Sequence, residues 1–135
     1  MERMSILILE DNEADLELIK RELRSVRYHS DIEWAWSKAT FLDALERKAP
    51  QIVLLDYSLP GFDGLTAMAM VRDSFPEVRT IIVSGGIGEE TAIEALKTGA
   101  TDYVLKKHLH RLGPVIARTI QEIEETAERR KAEAA

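Results

Sequence analysis

Four short apolar runs end in side chains that can do chemistry. SILILE ends at Glu10, with Asp11 next to it; QIVLLD ends at Asp56; RTIIVS ends at Ser84; and TDYVLK ends at Lys106. A further acid, Asp63, lies a short way beyond Asp56. If the runs are strands of one parallel sheet, their ends share an edge, and ligands of open α/β sheets bind in the crevice outside that edge. Residues far apart in sequence would then converge. The set holds carboxylates for a divalent cation, a carboxylate that could act as nucleophile, and a hydroxyl and an ammonium to receive an anion. That is the equipment for phosphoryl transfer to an aspartate.

The elements that must position these residues can be read from periodicity. SILILE, QIVLLD and RTIIVS are nearly continuous in apolar residues, as strands covered on both faces are. DIEWAW alternates Ile32, Trp34 and Trp36 with more polar neighbours, which predicts a strand near an edge with one face more exposed. TDYVLK is the last strand. Between strands the spacing turns helical. Leu16, Ile19, Leu23 and Val26 share one face after Asn12, a candidate cap. Ser37 opens a short helix that stops near Pro50, Asp63 opens one that stops at Pro76, and EETAIEALKTG is closed by Gly99. Pro60, Gly61 and Gly64 make SLPGFDG a loop. From Leu109 onward the pattern is helical, with Pro114 acceptable in the first turn. Strand and helix alternate five times, which implies a parallel sheet with helices on both faces.

Composition bounds what such a domain can do. A chain of 135 residues with 45% hydrophobic residues can bury one real core. A net charge of −6 argues against a general nucleic-acid binder. The absence of cysteine excludes disulfides and thiolate metal sites. The opening apolar run is interrupted by acids and is too short for a signal sequence or membrane span, so a soluble, cytoplasmic protein is expected. His29, His108 and His110 have no metal-ligand spacing. The loop Gly85-Gly86-Ile87-Gly88 lacks the rest of a dinucleotide fingerprint and any Walker lysine.

Over about residues 4–120 the chain resembles a response-regulator receiver domain of two-component signalling. The likeness rests on Glu10-Asp11, Asp56, Leu59-Pro60 with Asp63-Gly64, Ser84-Gly85, and Lys106 after Tyr103. It implies a flavodoxin-like α/β fold with five parallel strands in the order 2-1-3-4-5. It implies phosphorylation of Asp56 by a histidine kinase or phosphotransfer protein, with Mg²⁺. Glu10, Asp11, Asp56 and the main-chain carbonyl of Ser58 become the metal set, with Glu10 acting through water. Ser84 and Lys106 become the phosphoryl partners. Ser84 and Tyr103 become the switch that alters a surface for a downstream protein. Two departures stand out. Lys107, not proline, follows Lys106, so the family's cis peptide is not expected there. Serine stands at position 84 where threonine is commoner.

Two other readings compete. An aspartate-based phosphohydrolase of the haloacid-dehalogenase type would need a second acid two residues after the nucleophile, where this chain has Ser58. A docking domain that has lost phosphorylation would not need every reactive group present here. The C-terminal helix leaves more open. Ile116, Ile120, Ile123, Ala127, Arg130 and Ala134 follow a heptad seam that fades toward the end. Residues 1–121 are therefore read as the receiver domain and 122–135 as an extension of its last helix. That extension is a homodimer contact, a linker into a longer signalling protein, or a solvated helix end.

Overall fold

The computed structural model describes residues 3–26, 28–86 and 88–134. Its elements run β1 (Arg3–Leu9), α1 (Glu13–Arg24), β2 (His29–Ala35), α2 (Lys38–Arg47), β3 (Ile52–Leu55), β4 (Ser58–Leu59), β5 (Phe62–Asp63), α3 (Gly64–Ser74), β6 (Arg79–Ser84), α4 (Glu89–Thr98), β7 (Asp102–Leu105), a 3₁₀ turn (Lys106–Arg111) and α5 (Leu112–Ala134). Five strands form one sheet in the order β2-β1-β3-β6-β7, every pair parallel. Without the small β4–β5 hairpin this is the expected order 2-1-3-4-5.

The continuous apolar runs are explained by two cores, one on each face of the sheet. Ile6, Ile8, Ile52, Leu54, Ile81 and Val83 point to the side covered by α1 and α5, where they meet Leu16, Ile19, Ile116 and Ile120. The alternate residues Leu7, Leu9, Val53, Leu55 and Ile82 meet Phe41, Ala67, Val71 and Ala95 of the three other helices. The apolar residues of the central strands are therefore buried on both faces, and the side-chain period of two only decides which core each joins.

Helix starts follow the expected chemistry. Asn12 accepts the Asp15 amide at 2.9 Å, Ser37 and Thr40 form a reciprocal capping box, and Asp63 accepts the Leu65 amide at 3.2 Å. α4 ends at Gly99, whose φ of 128° lies where only glycine rests without strain.

Four details differ from the sequence expectations. The loop after Asp56 contains the β4–β5 hairpin, closed by Pro60 and by Gly61 at φ 73°. Leu59 and Phe62 anchor it by burying their side chains. β2 ends at Ala35, which is fully buried, while Trp36 leaves the strand and is half exposed. The strict alternation fails because helix α2 covers the second face of this edge strand. Lys106 begins a 3₁₀ turn and does not end β7, and α5 starts at Leu112 and not at Leu109. No cis peptide bond occurs among the described residues.

The fourth difference concerns the heptad seam. Ile116 and Ile120 are fully buried against the chain's own sheet, and Ile123 packs on the same core. Ile116 and Ile120 are not free to meet a second copy. α5 runs through residue 121 without a break and stays on the domain. Arg79 lies 3.8 Å from Glu122 and donates to Thr126 at 3.4 Å, Tyr28 donates to Glu124 at 2.9 Å, and Arg130 pairs with Glu77 at 2.6 Å.

Candidate phosphoacceptor site

The sheet register brings the reactive ends together. Leu9 pairs with Leu55, Leu55 with Ile82, and Ser84 with Leu105, so Glu10, Asp56, Ser84 and Lys106 follow neighbouring strands at one edge. Backbone bonds extend the ladder past the strand ends. The Glu10 amide donates to Ala35 and the Asp56 amide donates to Leu9, both at 2.9 Å. The Trp34 indole donates to the Glu10 carbonyl at 2.6 Å. The main chain of Glu10 is therefore held to β2 through both its amide and its carbonyl.

Carboxylate oxygens of Glu10, Asp11 and Asp56 all lie within 4.8 Å of one another. Glu10 is fully buried and Asp56 is 7% exposed, whereas Asp11 is open to solvent. Hard cations with octahedral preference take such oxygen donors and keep several waters, so one open ligand beside two buried ones fits the group. The Ser58 amide donates to Asp56 Oδ1 at 3.0 Å, which orients the carboxylate and brings the start of the hairpin against it. Asp63 serves elsewhere: its carboxylate caps α3 through Leu65 and Thr66.

One ammonium balances this charge. Lys106 Nζ lies 2.6 Å from Glu10, 2.8 Å from Asp15 and 3.1 Å from Asp56. Burial disfavours its charged form, but the hydrogen bonds it donates to Asp15 and Glu10 and the charge of Asp56 outweigh that and raise its pKa. Burial pushes the Glu10 carboxyl up, against the pull of Lys106 and of the Asn12 amide, and the neighbouring Asp56 charge adds to the rise. The Ser84 hydroxyl is fully buried and finds no hydrogen-bond partner among the described residues. A buried donor left unsatisfied needs a reason, and an incoming anion supplies one. Tyr103 is half buried against the core under α2, α3 and α4. Gly85, Gly86 and Gly88 of the following loop are exposed, and Ile87 lies outside the described residues.

Of the residues singled out in the sequence, Glu10, Asp11 and Asp56 come together beside Lys106, and Ser84 ends the strand between those of Asp56 and Lys106. Sequence reasoning missed Asp15 and Trp34. An acid in the first turn of a helix reads as a complement to the helix dipole, and a tryptophan in an edge strand reads as packing.

This geometry, five parallel strands with an acid cluster and a lysine at their carboxyl edge, defines a receiver-type α/β module. Residues 6–117 match the response regulator receiver domain model, and the chain belongs to that family. It is 32% identical over 108 residues to a putative NtrX-like response regulator of Rickettsia typhi, covering 78% of this chain and 22% of that protein. A crystal structure of NtrX from Brucella abortus superposes with a TM-score of 0.85 at 26% identity, over 97% of this chain and 30% of that one. The separate receiver domain of NtrX from Brucella abortus gives a TM-score of 0.77 at 28% identity, over 86% and 98%. The chain thus spans about a fifth of the length of that Rickettsia relative. As a member of this family it is a phosphoacceptor domain of two-component signal transduction.

Proposed function

We propose that Asp56 is the residue that accepts the phosphoryl group. The observation that carries this is its place: a nearly buried carboxylate, 3.1 Å from Lys106 and clustered with Glu10 and Asp11. A carboxylate oxygen of Asp56 attacks phosphorus. The bond from phosphorus to the donor breaks, the donor keeps its electron pair, and an acyl phosphate forms. The donor is a phosphohistidine of a kinase or phosphotransfer protein. Lys106 and the Ser84 hydroxyl donate to the phosphoryl oxygens, so each meets charge where it develops. Glu10, Asp11, Asp56 and the Ser58 carbonyl would hold Mg²⁺, which when bound neutralises the crowded carboxylates and the incoming phosphoryl group.

The output is a change of surface. Ser84 turns toward the new phosphoryl group and Tyr103, on the neighbouring strand, changes its exposure. The adjoining helix α4 carries the exposed apolar residues Ile93 and Leu96, which suit a downstream protein. A homodimer through α5 would have to use a face other than its isoleucine seam. Among the described residues no helix is long and apolar enough to cross a membrane. Residues 122–135 either complete this domain or lead into a longer signalling protein.

The phosphohydrolase reading has little support, because the residue two after Asp56 offers an amide to it and no acid. Time courses with acetyl phosphate and Mg²⁺ distinguish the possibilities. Accumulation of one phosphate per chain is expected. Continuous phosphate release without accumulation would support a hydrolase, and no uptake would support docking alone.

A further inference from the structure

The third partner of Lys106 has no part in the phosphoacceptor chemistry described above. We propose that Asp15 is a positioning residue: it holds the Lys106 ammonium at the outer side of the site while Asp56 is unmodified, and must release it for the phosphoryl group to be engaged. The inference rests on Asp56 as phosphoacceptor.

An ammonium has three donors and no acceptor. In Lys106 three carboxylates surround it, at 2.6, 2.8 and 3.1 Å. An acyl phosphate on Asp56 brings new anionic oxygens, and Lys106 can donate to them only by giving up an existing partner. The three partners are not equivalent. The side chains of Glu10 and Asp56 are 1% and 8% exposed, but that of Asp15 is 31% exposed. A released Glu10 would be left as a buried charge without its cation, which is strongly unfavourable. A released Asp15 would be hydrated. The Asp15 bond is therefore the one that opens.

Asp15 opposes phosphorylation by occupying one donor of Lys106. It also belongs to α1, whereas Glu10 and Asp56 follow strands. Leu18, one helical turn from Asp15, is an exposed apolar residue of the same helix. Release of Lys106 thus makes the first turn of α1 sensitive to the state of Asp56.

The test compares rates of phosphate uptake from acetyl phosphate with Mg²⁺. In that reaction the bond between the acetyl oxygen and phosphorus breaks, acetate leaves with the electron pair, and Asp56 gains the phosphoryl group. Asp15→Asn should react about fivefold faster than wild type, the factor given by roughly 1 kcal/mol of a partly exposed charge pair. Asp15→Glu, which restores the carboxylate, should return the rate toward wild type. In a Lys106→Gln background Asp15→Asn should bring no gain, because its partner is gone. Asp15→Ser serves as a second neutral variant should the asparagine fail to fold. Equal or slower uptake by the neutral variants, or a gain that persists without Lys106, would overturn the proposal. A wild-type chain that takes up no phosphate would overturn the Asp56 reading itself, and this inference with it.

Discussion

At Glu10 burial and function pull in opposite directions. Its carboxylate has no solvent exposure, yet the metal set needs it ionised. Burial raises its pKa above the ordinary 4.5, so the folded state holds a proton that the unfolded state has already released. Metal-free stability should therefore fall as pH rises from about 4.5 through the raised folded value. Glu10→Gln removes the titration. In chelator-treated protein its stability relative to wild type should increase across that window and level off above it. Denaturant melts at a series of pH values measure this, and a difference independent of pH would contradict it. The same residue shows why most of the site was legible. A strand end fixes where a side chain lands, so acids and a lysine in those places could be assigned from sequence. Asp15 was not legible because its role depends on how α1 docks against the turn after β7.

Among the elements, fully covered strands were the easiest to read, since an apolar run of the right length has few other places to go. Boundaries were harder. The β4–β5 hairpin rests on two buried side chains and one positive-φ glycine, a combination that also reads as an irregular loop. The 3₁₀ turn at Lys106 directly continues an apolar run that reads as a strand, and Leu109 and Leu112 beyond it pack on the core. These two segments flank the site. The proposed switch runs from Ser84 at the end of β6 across to Tyr103 in β7, its partner strand. Beryllofluoride with Mg²⁺, which mimics the phosphoryl group, should shift the backbone amides of β7 and α4, Tyr103 among them. Lys106→Ala should fold and show much smaller shifts there. Unchanged amides around Tyr103 in the wild type would break the proposed link between site and surface.

On the scale of the whole molecule, the last helix departs most from its sequence pattern. A heptad seam describes apolar spacing but not what covers it, and here the chain's own sheet does. Ile120→Glu would place an uncompensated charge in a fully buried position, which costs roughly 3–5 kcal/mol. The expected result is loss of cooperative folding in circular dichroism melts. A variant that stayed folded with an unchanged midpoint would mean that this face is free after all. The tie between Arg130 and Glu77 extends the same docking toward the helix end, although such an exposed pair contributes little alone.

The central claim is that one carboxylate, Asp56, receives the phosphoryl group. Borohydride reduces an acyl phosphate to an alcohol but leaves free carboxylates untouched, so it marks the modified residue. After treatment with acetyl phosphate and Mg²⁺, then borohydride, peptide mass mapping should find homoserine at position 56, and Asp56→Asn should show no such product. Homoserine at Asp11 or Asp63, or equal labelling of the Asp56→Asn variant, would contradict the assignment.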